Sequence, residues 1–321
     1  MNAAPRAAFL DYASLDLGDL DPTPLHAIFG SLECYPATAP DEVITRLQQV
    51  EVALVNKVRL DAACFAACPS LKLVLVSATG TNNVDLEAAR AHGVTVCNCQ
   101  GYGTPSVAQH TLMLLLALAT RLPDYITDVR AGRWQQARQF CLLDHPITEL
   151  AGKTLGLLGH GELGSAVARL AEAFGMRVLL GQLPGRPARE GYLPLEDLLP
   201  QVDALTLHCP LTDSTRNLIN APQLAAMKPT AFLINTARGG IVNEHALADC
   251  LRRGHLAGAA TDVLTEEPPR HGNPLLAEDI PRLIITPHSA WGSREARQRI
   301  ISQLAENVES FLAGAPKRIV C

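Results

Sequence analysis

No apolar run in this chain is long enough to span a bilayer. The most apolar stretch, TLMLLLALAT at 111–120, falls far short of the roughly 20 residues a membrane helix needs, so a buried helix is expected there and no membrane partner. No cluster of Lys and Arg interrupts a formal net charge of −5, which argues against a nucleic-acid partner. There is no CxxC pair among the nine cysteines. Cys64 and Cys68 are four apart, Cys97 and Cys99 two apart, and no histidine cluster accompanies them. No metal is therefore expected, and the thiols read as small buried hydrophobes of a reducing compartment. The opening MNAAPRAAFLDYASLD lacks the apolar run of a signal peptide, so the expected address is cytoplasmic.

What is present is core-forming. Hydrophobic residues make up 48% of 321 positions, enough for two domains, since single cores stop growing at roughly 250–300 residues. Short apolar runs alternate with helical patterns, which predicts βαβ units and parallel sheets. Strands are expected at 7–12, 52–56, 72–78 and 94–98, with helices at 41–49 and 85–93 between them. A long apolar helix is expected from about Pro105 to Leu122. From GKTLGLLG at 152–159 the alternation is regular. Strands are expected at 177–181, 203–208, 231–235, 258–263 and 282–287. Helices fall at 163–175, 195–201, 221–227 and 243–254, and a last amphipathic helix at 293–314. The fold class is α/β with two doubly wound parallel-sheet domains. Residues 101–288 form one domain; 1–100 and 289–321 form the other.

GHGELG at 159–164 satisfies G-x-G-x-x-G with Gly159, Gly161 and Gly164, between a buried strand and an amphipathic helix. That context makes it a dinucleotide corner of Rossmann type, with the pyrophosphate over His160, Glu162 and Leu163 at the helix N-terminus. About 20 residues on, a carboxylate would normally hold the adenosine ribose. This chain lacks one: the stretch is VLLGQLPGRP. Gln182 does not repel a 2′-phosphate and Arg186 can pair with one. NADP is therefore favoured over NAD.

Three more segments, NTARGG (235–240), DVLTEEPP (262–269) and TPHSAW (286–291), each follow an expected parallel strand, at the edge where such folds bind ligands. They bring Arg238, Glu267 and His288 together. A guanidinium holds a carboxylate and polarises a ketone, a histidine exchanges a proton near neutrality, and a carboxylate orients the ring and favours its charged form. With hydride from a nicotinamide, these parts suit interconversion of a 2-keto acid and a 2-hydroxy acid.

With these motifs in view, the chain resembles the D-isomer-specific 2-hydroxyacid dehydrogenase family over nearly its whole length. FLDYASLD, NKVRLD, YGTPSVAQHT and PHSAW look most like its glycerate dehydrogenases, also called hydroxypyruvate reductases. The resemblance implies a flavodoxin-like substrate domain beside the Rossmann domain. It implies that Arg238 holds the substrate carboxylate and carbonyl, that His288 is the acid–base and that Glu267 serves the histidine. Asp262 and Val107 would lie near the nicotinamide, and Cys209, Pro210, Thr236 and Ala237 along the cofactor. Thr79 and Gly80 would offer amides to the substrate carboxylate, and Trp291 would shape the pocket. Asn82 stands where many relatives carry Asp, with no catalytic consequence seen. The implied reaction is NAD(P)H-dependent, reversible reduction of hydroxypyruvate or glyoxylate in a cleft between domains, by a homodimer. Two other readings stay open: oxidation of a small anion such as phosphite, and a dinucleotide-sensing binding protein like the C-terminal-binding corepressors.

Overall fold

Two parallel sheets organise residues 4–321, the part of the chain described by the computed structural model. They belong to two compact units that divide between Gly103 and Thr104 and between Trp291 and Gly292. The borders read from the sequence, after 100 and after 288, fall three residues earlier in each case.

The first unit begins with β1 (Arg6–Phe9), α1 (Thr23–His26), β2 (Ser31–Cys34), α2 (Val43–Leu47), β3 (Val52–Val55), α3 (Ala62–Ala67), β4 (Leu73–Val76), α4 (Leu86–Ala91) and β5 (Thr95–Cys97). All strands pair in parallel in the order β2-β1-β3-β4-β5. This is the flavodoxin-type order. β3 and β4 are buried along their whole length, which is why they read in the sequence as unbroken apolar runs. Asp61 and Asp85 cap α3 and α4 through the amides of Cys64 and Ala88, satisfying donors that a helix start leaves unpaired. β2 was not expected. It is an edge strand whose residues alternate between exposed and half-buried, so no apolar run marks it.

The second unit runs α5 (Thr104–Ala119), α6 (Leu122–Arg130), β6 (Thr154–Leu158), α7 (Glu162–Ala173), β7 (Arg177–Gly181), β8 (Tyr192–Leu193), α8 (Leu195–Leu198), β9 (Ala204–Leu207), α9 (Ala221–Ala226), β10 (Phe232–Asn235), α10 (Glu244–Arg252), β11 (Gly258–Thr261) and β12 (Leu283–Ile285). Its strand order is β12-β11-β10-β9-β6-β7-β8. From β6 outward this is the Rossmann order with one strand added, and the direction of winding reverses between β6 and β9. The helix expected from 105 to 122 ends early, because Arg121 adopts a left-handed backbone with φ of 56° and Pro123 opens α6. β8 is a two-residue edge strand and was likewise not anticipated. Among the described residues no helix is long and apolar enough to cross a membrane.

The final helix, α11 (Arg294–Leu312), belongs to the first unit. It buries Ile300, Ile301, Leu304 and Val308. Asn307, fully buried, donates from Nδ2 to the Asn98 carbonyl at 3.0 Å and accepts from Arg318 Nη1 at 2.9 Å. Asn98 in turn donates to the Thr79 carbonyl at 2.8 Å, and Thr79 Oγ1 to the Cys99 carbonyl at 2.9 Å. One buried amide on the last helix thus braces the loop after β4.

Candidate active site

The glycine corner sits where the sheet of the second unit reverses. β6 is wholly buried and is followed by Gly159, whose φ of 99° glycine adopts at little cost and other residues do not. A Cβ there would lie 2.6 Å from the His208 backbone, and one at Gly164 would lie 2.1 Å from the Gly159 carbonyl oxygen. The corner is tight on both sides. At Gly161, the N-cap of α7, an added Cβ would meet nothing within 4 Å. The space in front of the helix is therefore open, and the amides of Glu162, Leu163 and Gly164 face it without intrahelical acceptors. The Glu162 carboxylate itself turns away, accepting from Thr104 Oγ1 at 2.7 Å.

Beyond β7, Gln182 has a task that its position in the sequence did not reveal. Its Nε2 donates to the carbonyls of Leu183 (3.3 Å), Arg186 (3.1 Å) and Pro187 (3.0 Å), so it shapes the loop. Its Oε1 is buried without a partner among the described residues. A buried, unpaired acceptor is costly unless something donates to it, and a ribose hydroxyl is such a donor. Arg186 is exposed. Arg189, not singled out from the sequence, stacks its guanidinium 4.5 Å over the Tyr192 ring, and the Tyr192 hydroxyl lies 3.4 Å from His160 Nδ1. Across the switch point, burial pushes His208 down to about 4; the neutral ring bonds Thr206 Oγ1 at 2.9 Å. Cys209 is buried and Pro210 exposed. The corner, the helix start and the unpaired Gln182 acceptor fit a dinucleotide.

The strand ends that carry the chemistry are in register. Asn235 pairs with Thr261 and Thr261 with Ile285, so the last residues of β10, β11 and β12 stand side by side, roughly 4.8 Å between strands. Arg238 lies three residues beyond the first, Glu267 six beyond the second and His288 three beyond the third. Asn235 ties the first turn: its Oδ1 accepts from the Ala237 amide at 3.1 Å and its Nδ2 donates to the Arg238 carbonyl at 3.0 Å. Gly239 lets this turn approach the next loop, since a Cβ there would lie 1.9 Å from the Leu264 carbonyl oxygen. Arg238 is exposed and donates from Nη1 to the Ala237 carbonyl at 2.7 Å. Thr236 and Ala237 are buried, as is Val107 on α5.

Glu267 and His288 meet directly. Glu267 Oε2 is 2.5 Å from His288 Nδ1, and its Oε1 accepts from the Leu264 amide at 2.8 Å. With Nδ1 committed to the carboxylate, Nε2 is the ring atom available for proton transfer. His288 has a φ of 51°, a backbone conformation that costs roughly 1–2 kcal/mol for an L-residue. Asp262 supports it. This buried carboxylate accepts from the amides of Ser289 and Ala290, both at 2.9 Å, and from Thr286 Oγ1 at 2.5 Å. The His288 amide donates to the Asp262 carbonyl at 2.8 Å. Glu244 holds the Glu267 loop from α10, accepting from the Thr265 amide at 2.7 Å and Asn273 Nδ2 at 2.8 Å.

In the first unit, Thr79 is exposed and Gly80 half-buried. Among the described residues neither backbone amide is taken by an acceptor of the chain. Such adjacent free amides suit an anion. Trp291 is half-buried.

Comparison with known proteins gives the family of the chain. Residues 112–290 match the family model described as D-isomer specific 2-hydroxyacid dehydrogenase, NAD binding domain. A glycerate dehydrogenase of Methylorubrum extorquens is 47% identical over 281 residues, 88% of each chain. A hydroxypyruvate reductase of Blautia hydrogenotrophica is 36% identical over 97% of this chain and 98% of its own. The crystal structure of an NADPH-dependent glyoxylate/hydroxypyruvate reductase from Sinorhizobium meliloti, in complex with citrate, superposes with a TM-score of 0.82 at 29% identity, covering 99% of this chain and 98% of that one. The fold and the corner define a dinucleotide-dependent oxidoreductase. The chain belongs to the D-isomer-specific 2-hydroxyacid dehydrogenase family.

Proposed function

We propose that this enzyme reduces hydroxypyruvate or glyoxylate to the D-2-hydroxy acid with NADPH, reversibly. The observation that carries the reading is the Glu267–His288 pair, with Arg238 in the loop that leaves the adjoining strand of the same register. The names of the relatives support the substrate class. A nicotinamide cofactor held at the corner would supply the hydride for C2. Arg238 holds the substrate carboxylate and polarises the carbonyl. Thr79 and Gly80 are proposed to add two amides to that carboxylate. His288 gives a proton from Nε2 to the carbonyl oxygen, and Glu267 keeps the ring turned and stabilises its charge.

For the cofactor, Gly159, His160, Gly161, Glu162, Leu163 and Gly164 would hold the pyrophosphate. Cys209, Pro210, Thr236, Ala237, Asp262 and Val107 would line the path to the nicotinamide. The preference for NADPH over NADH rests on Arg186, with Gln182 as the organiser of its loop. The proposed location is the cytosol, in keeping with nine cysteines that are all free thiols.

The proposed assembly is a homodimer. Met113, Leu122, Ile126, Val129, Trp134, Phe140, Leu143 and Ile147 are all exposed, Phe140 to 89%. Large apolar side chains concentrated in one stretch mark an interaction surface, and a second copy of the chain is the occupant proposed.

Four measurements test these statements. Initial rates with hydroxypyruvate, glyoxylate, pyruvate and phosphite, each with both cofactor pairs, should be highest for one of the first two with NADPH. His288→Ala should cut that rate by about 10²–10⁴-fold while leaving dinucleotide binding intact; phosphite as the sole substrate, or a fully active His288→Ala enzyme, contradicts the reading. Arg186→Ala should weaken binding of 2′,5′-ADP at least tenfold and of 5′-AMP little, and equal losses would remove the phosphate from the account. Sedimentation should return twice the chain mass of 34.4 kDa; a monomer at micromolar concentration overturns the dimer.

A further inference from the structure

Helix α5 packs against α7, β10 and β11, and most of its inward face is apolar. Three polar side chains on it depart from that pattern. Ser106 Oγ donates to the Ala290 carbonyl at 2.6 Å. His110 Nε2 lies 3.0 Å from Thr286 Oγ1 and 3.6 Å from Asp262 Oδ1. Thr111 Oγ1 donates to the Val107 carbonyl at 2.8 Å and lies 2.9 Å from Thr236 Oγ1. All of these groups lie within the second unit. Thr236 belongs to the turn of Arg238, and Thr286 and Ala290 flank His288.

Proton accounting fixes the direction of the His110 contact. A threonine hydroxyl has one proton and two acceptor sites. Thr286 spends its proton on the Asp262 carboxylate, which accepts only. Its oxygen can then serve His110 solely as an acceptor. His110 must carry its proton on Nε2 and donate it to Thr286. The chain of donors runs from α5 through Thr286 to Asp262, and Asp262 takes the amides of Ser289 and Ala290 beside His288.

We propose that His110 is a positioning residue for His288. Its Nε2–H aims the Thr286 hydroxyl at Asp262, and Asp262 holds residues 288–290 in the left-handed turn that brings the His288 ring to Glu267. His110 touches no reacting atom and acts through the turn. The inference rests on the assignment of His288 as proton donor.

The test compares His110→Phe, which fills the space without a donor, and His110→Gln, whose Nε2 restores one. With hydroxypyruvate and NADPH, His110→Phe should lower kcat ten- to hundredfold and move the alkaline limb of its pH profile to lower pH, because the ring no longer meets Glu267 squarely. NADPH binding, followed by its fluorescence, should change less than threefold. His110→Gln should recover most of kcat and the wild-type pH profile. If His110→Phe does not fold, Thr286→Val removes the same link without a change of volume and should give the same result. Unchanged kcat and pH profile in the Phe or Val variant overturn the proposal, as does a Gln variant no better than Phe. Histidine ¹⁵N NMR of the apoprotein separates this from the functional reading. The strongly hydrogen-bonded Nδ1–H of His288 should be lost in His110→Phe and present in His110→Gln. That result, beside a wild type that turns over no 2-keto acid, would remove the proposed substrate and leave the positioning role standing. An Nδ1–H signal unchanged in His110→Phe would remove the positioning role.

Discussion

The parallel pairing of β10, β11 and β12 is the constraint on which the site depends. Parallel strands require crossovers, so every strand ends at the same edge of the sheet. In register, Asn235, Thr261 and Ile285 form one line, and the loops leaving that line carry Arg238, Glu267 and His288. Glu267 and His288, 21 positions apart in sequence, meet because adjoining parallel strands end side by side. The precision beyond that comes from the buried Asn235 and Asp262 and the half-buried Glu244. Asn235 ties one turn, Asp262 another, and Glu244 the loop between.

The same logic serves the glycine corner. The winding reverses between β6 and β9, and the crevice this leaves is where doubly wound sheets bind ligands. Gly159 and Gly164 are there because the neighbouring backbone leaves no room for a Cβ, whereas Gly161 borders open space. Gln182 completes the arrangement from β7. It is better understood as the organiser of the arginine-bearing loop than as a vacancy where a carboxylate should stand.

Much of this was legible in the sequence. β3, β4, β6, β9, β10 and β11 are buried along their length, and such strands announce themselves as unbroken apolar runs. Arg238 and Glu267 could be found because each follows such a run, and His288 because it follows the apolar, half-buried β12. β2 and β8 could not, since β2 alternates exposed and half-buried residues and β8 has only two residues, too few to leave a pattern. The break at Arg121 was hidden by the apolar periodicity on both sides of it, although Pro123 marked the new start. The roles of Gln182, Arg189 and His110 depend on which groups the folded chain brings within hydrogen-bond or stacking distance. No spacing in the sequence encodes that.

The account turns on the Glu267 carboxylate acting on the His288 ring. The pH dependence of kcat for reduction, in the wild type and in Glu267→Gln, tests it most directly. Glutamine keeps the size and a hydrogen-bond acceptor but removes the charge that favours a proton on the ring. Reduction needs that proton. The alkaline limb of Glu267→Gln should therefore lie at lower pH than that of the wild type, with turnover at pH 7 reduced at least tenfold. Superimposable profiles with equal rates would contradict the account.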